Sequence, residues 1–272
     1  MDKEKMAEEL NRLVDIMEVL RGPNGCPWDK KQNYNSLEPY IIEEAYEVVE
    51  ALQREDITAL KEELGDLLLQ VIFQAQIGKE RDDFTLIDVL EGINNKLIRR
   101  HPHVFQEKKL SSANEVKHLW EEIKKEEKIE SGKRKESILD DVSQAQTALN
   151  QADELQKKAA EVGFDWSDIK DVVCKIEEEL GEVTAAIEEN DKTAISEEIG
   201  DLLFAVVNLA RFSHVNSELA LLKTILKFKD RFRYIEERVK DKGAVLEKLA
   251  LDELDEYWEE AKHKLSYNKE DY

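Results

Sequence analysis

Helix breakers are scarce in this sequence, with 4 prolines and 10 glycines among 272 residues. Little therefore stands in the way of helix, and an all-α fold is the expectation. Cysteine is nearly absent: Cys26 and Cys174 form no CxxC pair and no disulfide framework, which fits a reducing cytoplasm. Long apolar runs are missing too. The longest, Leu202 to Val207, is far too short to cross a bilayer, and the opening MDKEKMAEEL has no apolar signal core. A soluble, unprocessed protein without a membrane partner is expected. Basic charge is in deficit, since 62 acidic against 40 basic residues leave a formal charge of −22. Such a surface repels a phosphate backbone and excludes general nucleic-acid binding, whereas small phosphorylated ligands stay open where metal ions screen the acids.

What the sequence does contain is a repeat. The segment from Glu43 to Ala75 aligns without gaps onto Glu178 to Ala210, with about half of the positions identical. Outside that block, Gly25-Cys26-Pro27-Trp28 corresponds to Gly163-Phe164-Asp165-Trp166, and Trp120-Glu121-Glu122 to Trp258-Glu259-Glu260. This spacing predicts two tandem units, residues 1–136 and 137–272, rather than the short repeats of a solenoid. The join is expected near Ser137, where KKEEKIESGKRKESILDD loses helical periodicity.

Each unit reads as four main helices. In the first they cover roughly 3–21, 37–54, 58–80 and 86–100, with a further helix around 114–130. IIEEAYEVVEAL places Ile41, Ala45, Val48, Val49 and Leu52 at amphipathic spacing. ELGDLLLQVIFQAQ and EIGDLLFAVVNLA are apolar nearly all round, so both are expected to be central buried helices. GPNGCPWD is expected to be an ordered loop with Trp28 turned inward, and His101-Pro102-His103 a helix-ending turn.

Each copy then carries Glu-Glu-x-x-Glu followed by Glu-x-x-Asp on the next helix. The acids are Glu43, Glu44, Glu47, Glu63 and Asp66 in the first, and Glu178, Glu179, Glu182, Glu198 and Asp201 in the second. Residues three apart share a helix face, so Glu44 with Glu47, and Glu63 with Asp66, form adjacent pairs. A short turn makes the two helices an antiparallel hairpin and brings the pairs face to face. Four converging carboxylates repel one another unless a cation joins them, and oxygen ligands without His or Cys suit Mg²⁺ or Mn²⁺. A solvated acidic face is the competing reading. Against it, Asp66 and Asp201 precede the most apolar stretches, where a lone charge is costly, and Gly65 and Gly200 suggest close approach of a helix or ligand. A di-iron bundle lacks its usual Glu-x-x-His pair here.

These motifs, with GCPWD, RRHPHVF, VGFDW and GDLLFAVVNLAR, resemble the MazG-like all-α nucleotide pyrophosphohydrolases, and among them the two-repeat bacterial type. The resemblance covers nearly the whole chain. It implies hydrolysis of nucleoside triphosphates between the α- and β-phosphates, yielding the monophosphate and pyrophosphate. It also implies Mg²⁺ held by Glu179, Glu182, Glu198 and Asp201, with Glu44, Glu47, Glu63 and Asp66 as the first-unit equivalents. Lys175, Lys227 and Arg231 match positions that contact the triphosphate, Trp258 one that contacts the nucleotide, and Glu178 and Glu197 are further nucleotide-binding candidates. The first unit supplies Lys96, Arg100 and Trp120. Glu178, Glu179 and Glu182 are the candidate catalytic residues, with Glu178 the candidate acceptor of the attacking water's proton. Tyr40 stands where the second unit has Lys175, so the second unit is expected to be the main catalytic centre. Family relatives imply a homodimer. The competing classes are a nucleotide-specific enzyme of the dUTPase or dCTPase kind and a non-enzymatic helical interaction module.

Overall fold

The caps that start the helices are written into the sequence. Asp56 accepts hydrogen bonds from the backbone of Thr58 and Ala59, and Asp191, its counterpart, from Thr193 and Ala194. Just before each cap the chain turns left-handed, at Glu55 (φ 54°) and Asn190 (φ 55°), so the duplicated sequence builds the same hairpin twice. A computed structural model describes residues 2–105 and 137–265 together with Ser112, Glu115, Val116, Leu119, Trp120, Ile123 and Glu127. Among the described residues there is no strand. The chain divides into two units, Met1–Arg134 and Lys135–Tyr272; residue 136, the expected end of the first, lies outside the described residues.

The first unit contains α1 (Lys3–Arg21), α2 (Pro27–Lys31), α3 (Glu38–Gln53), α4 (Ile57–Glu80), α5 (Leu86–Arg100) and the short α6 (Pro102–Phe105). The four long helices stand where the periodicity predicts them. The helix expected around 114–130 lies mostly outside the described residues, and those described within it are helical. α3 and α4 pack as the hairpin, α1 lies on α4, and Met17, Leu37, Ile72, Phe73 and Ile77 form the core between them. Gly78 lets the chain return against α4, because a Cβ there would sit 2.8 Å from the Phe84 carbonyl. Arg21 crosses the same end. Its side chain is 6% exposed, pairs with Glu80 at 2.7 Å, and donates to the carbonyls of Asp29 (2.5 Å) and Gln32 (3.3 Å).

The second unit contains α7 (Ala148–Glu161), α8 (Ile169–Glu189), α9 (Lys192–Phe212), α10 (Ser217–Asp241) and α11 (Leu251–Lys264). Here α8 and α9 form the hairpin, α7 packs on α9 and α10, and α11 closes on α10 through Ile235, Val239 and Tyr257.

Three expectations need correcting. Trp28 is half exposed instead of turned inward, because Pro27 opens a helix there and the ring meets Tyr40 edge-on at 5.9 Å. The apolar segments of α4 and α9 are buried on one side only: Leu64, Leu68 and Val71 in the first, and Ile199, Leu203 and Val206 in the second, remain exposed. Within each unit the neighbouring helices cover one face of the hairpin and leave the other open. Gly65 and Gly200 face open space, with nothing within 4 Å of an added Cβ, so no helix of their own unit approaches them.

Candidate metal and nucleotide site

The hairpins do what the spacing requires. Ligand oxygens of Glu44, Glu47 and Glu63 lie within 4.8 Å of one another in the first unit, as do those of Glu179, Glu182 and Glu198 in the second. Oxygens around one Mg²⁺ are at most about 4.2 Å apart, so small side-chain adjustments close either set on a single ion. The donor set is all carboxylate, which fits a hard cation. Three of the four expected ligands are thus gathered in each unit. The fourth, Asp66, stands close enough to act electrostatically on Glu44 and Glu63, and Asp201 borders a cavity together with Glu179.

Crowding of like charges shows in the acidities. Burial pushes the Glu44 carboxyl above the usual carboxylate range, and the charges of Asp66 and Glu47 raise it further. Burial, then the charges of Glu47 and Asp66, raises Glu63; burial, then Glu179 and Glu198, raises Glu182. A carboxyl whose folded pKa lies above its unfolded one costs stability when ionised, and that cost is relieved as pH falls through the raised folded value. In EDTA, then, the protein with Glu182→Gln unfolds at a higher temperature than the parent at neutral pH, and the difference shrinks as pH falls toward the carboxylate range. Thermal melts at several pH values check this; an equal or lower midpoint at neutral pH contradicts the charge conflict.

The two units surround the matching acids Glu179 and Glu44 differently. Glu179 is 5% exposed, and Lys175 pairs with it at 2.7 Å and with Glu178 at 2.8 Å. The Glu178 and Glu179 carboxylates raise the Lys175 pKa further, so the ammonium stays charged. In the first unit Tyr40 replaces that cation, and the amide of Gln70, itself buried, donates to Glu44 at 3.4 Å.

The remaining candidates fall elsewhere. Lys227 and Arg231 sit half-buried on α10, where the Arg231 guanidinium lies over the Trp258 ring at 5.4 Å and Phe228 meets that ring at 5.2 Å. The Arg231 Nε is buried with no hydrogen-bond partner. Glu197 is exposed on α9 beside Glu198, and Lys96 is exposed on α5. Arg100 is already engaged: with Arg99 it forks onto Glu127, at 2.5 Å each, and holds that carboxyl down at about 2. Trp120 stands edge-on to His101 at 5.0 Å, at the turn that ends α5. Counted from Trp120 and Trp258, the position of Glu127 is held in the second unit by Leu265, which cannot occupy an arginine in this way.

Sequence reading missed Gln70, Glu127 and the ion pair of Arg211 with Asp165 (2.5 Å). The signal was available in the differences between the two copies, at positions where one carries a polar group and the other does not.

The comparisons agree with this geometry. The family model described as the MazG nucleotide pyrophosphohydrolase domain matches twice, at residues 32–105 and 168–235. The chain is 50% identical over 250 residues to the nucleoside triphosphate pyrophosphohydrolase/pyrophosphatase MazG of Thermotoga maritima, covering 92% of this chain and 94% of that one. It is 44% identical over 257 residues to the nucleoside triphosphate pyrophosphohydrolase of Escherichia coli, covering 93% and 97%. Against YabN of Bacillus subtilis it is 47% identical over 262 residues, which is 96% of this chain and 53% of that protein. With two hairpins of clustered carboxylates, each inside a segment that the family model matches, this chain belongs to the MazG nucleotide pyrophosphohydrolase family.

Proposed function

We propose that the protein hydrolyses nucleoside triphosphates to the monophosphate and pyrophosphate, with its second unit as the main catalytic centre. The observation that carries this reading is the Glu179, Glu182 and Glu198 cluster with the Lys175 ammonium seated on its edge. Mg²⁺ or Mn²⁺ bound by these residues, with Asp201, would offset phosphate charge and acidify a coordinated water. Glu178, exposed and outside the cluster, would hold that water and take its proton. Lys175 would leave its carboxylate partners for a phosphate oxygen, and Lys227 and Arg231 would supply further positive charge for the departing pyrophosphate.

Association into a homodimer belongs to the same proposal. Leu180 and Ile187 on α8, with Ile199, Leu203 and Val206 on α9, give the second hairpin an apolar outer side that a second copy would cover. Two unpaired cysteines and no helix long and apolar enough to cross a membrane among the described residues agree with action in the cytoplasm.

A panel of ribo- and deoxyribonucleoside triphosphates tests the reaction. Pyrophosphate is expected from each in Mg²⁺ or Mn²⁺, and none in EDTA. Release of orthophosphate instead, or no turnover, overturns the reading, and turnover of one base alone assigns a nucleotide-specific enzyme. A monomer by light scattering would contradict the dimer.

A further inference from the structure

The two carboxylate clusters are alike in their acids and unlike in what offsets them. In the second unit the Lys175 ammonium sits 2.7 Å from Glu179 and 2.8 Å from Glu178, a cation already in contact with the cluster. In the first unit the matching residue is Tyr40, which brings no positive charge and packs against the core around Met17 and Leu37. What the first unit has instead is an amide. Gln70 follows Glu63 by seven residues and Asp66 by four, so it shares their face of α4, and Ala205 stands at its position in the second unit.

Gln70 is 7% exposed, and only half of its amide is satisfied. Its Nε2 donates to Glu44 at 3.4 Å, the long end for such a bond, and its Oε1 is buried with no donor. A buried acceptor without a partner is costly, and such a group is kept where something outside the fold pairs with it. Beside three converging carboxylates that partner is a cation. An amide oxygen is a hard, neutral ligand of the kind that divalent cations take alongside carboxylates. Half a turn of the amide sets this oxygen where Nε2 now faces Glu44.

The geometry points to unlike cation sites in the two units: the first binds a divalent cation without nucleotide, with Gln70 as an added oxygen donor, and in the second Lys175 holds the cation's place until a phosphate draws it off. In the first unit the amide is neutral, so an arriving cation only relieves repulsion among the acids. In the second it meets an ammonium of the same sign on the same carboxylates, which lowers its affinity. A phosphate that takes up Lys175 removes that opposition, so nucleotide and cation tighten each other's binding in the second unit by the same factor. The first unit's cation is then a resident one, joining α3 to α4, and the second unit's arrives with the substrate. The inference deepens the pyrophosphohydrolase reading and rests on it for the phosphate alone.

Titrations of the full chain with Mn²⁺ in the absence of nucleotide, followed by calorimetry and by the paramagnetic resonance of the free ion, read both sites. The parent is expected to show one tight site and one at least about tenfold weaker. Glu47→Gln removes the tight site, together with the rise in melting temperature at low Mn²⁺, and Glu182→Gln removes the weak one. Gln70→Leu weakens the tight site about tenfold, as loss of a supporting polar group does, whereas Gln70→Glu keeps the shape and the oxygen and does not weaken it. Lys175→Met tightens the second site at least about tenfold. Two equal sites in the parent, or loss of the tighter site in Glu182→Gln, overturns the proposal. So does an unaltered second site in Lys175→Met, or an unaltered first site in Gln70→Leu. Because no nucleotide is present, failure here leaves the pyrophosphohydrolase reading standing, while a chain that shows both sites and releases no pyrophosphate loses that reading and keeps this one.

Discussion

Glu179→Ala is expected to lower kcat/KM for pyrophosphate release by at least about 100-fold, as loss of a metal ligand does, while Glu44→Ala keeps most of the activity. Both acids stand at the same place in their hairpins, and both belong to a group of three converging carboxylates. What surrounds them differs. Glu179 carries Lys175 at 2.7 Å and opens onto the cavity, whereas Glu44 meets the neutral amide of Gln70, with Tyr40 where the cation would be. Arg99 and Arg100, the neighbouring cations of the first unit, are both paired with Glu127. Removing Glu179 leaves Lys175 with Glu178, so the helix keeps a partner for its cation and the loss is one of function. The reverse pattern would move catalysis to the first unit, and full activity in both variants would remove the metal sites from the mechanism.

Arg21→Ala is expected to destabilise the first unit by about 3 kcal/mol, the lower end for breaking one side of a buried ion pair. The lower end applies because Glu80 is 35% exposed and water recovers part of its charge. The guanidinium serves one carboxylate and two backbone carbonyls at once, and stacks over Phe73 at 5.3 Å, so its removal strands several acceptors beside the core. Arg21 also holds the Glu80 carboxyl below its usual range, helped by Gln76. That contribution is complete at neutral pH and is lost as pH falls through the lowered folded value, so the gap between parent and variant narrows in acid. Arg21→Lys recovers only part, because a point charge cannot reach three acceptors in a plane. Urea unfolding at pH 7 and in acid measures both effects; a loss below about 1 kcal/mol would refute the role assigned to Arg21.

Much of the fold was legible because helices are local objects. The three- and four-residue spacing of Ile41, Ala45, Val48 and Leu52 is a property of one helix, and so are the caps at Asp56 and Asp191. The carboxylate clusters were legible for the same reason: a short turn obliges two helices to meet, so the Glu-x-x-Glu pair and the glutamate of Glu-x-x-Asp converge without further information. Trp28 was misread because its burial depends on helices distant in sequence, and hydrophobicity alone does not say which partner arrives. The one-sided burial of α4 and α9 was missed on the same ground, since an apolar circumference does not tell how much of it the same chain will cover.

By itself the sequence determined a duplicated, all-helical chain with a carboxylate cluster in each hairpin, because periodicity, capping and spacing act over a few residues; its motifs carried the resemblance to the MazG family. Only the tertiary structure decided that the two clusters stand in different surroundings. Whether Arg100 is bound to Glu127 and whether Gln70 reaches Glu44 both depend on pairs 26 or 27 residues apart. Those pairs form through packing between helices, which no local pattern encodes.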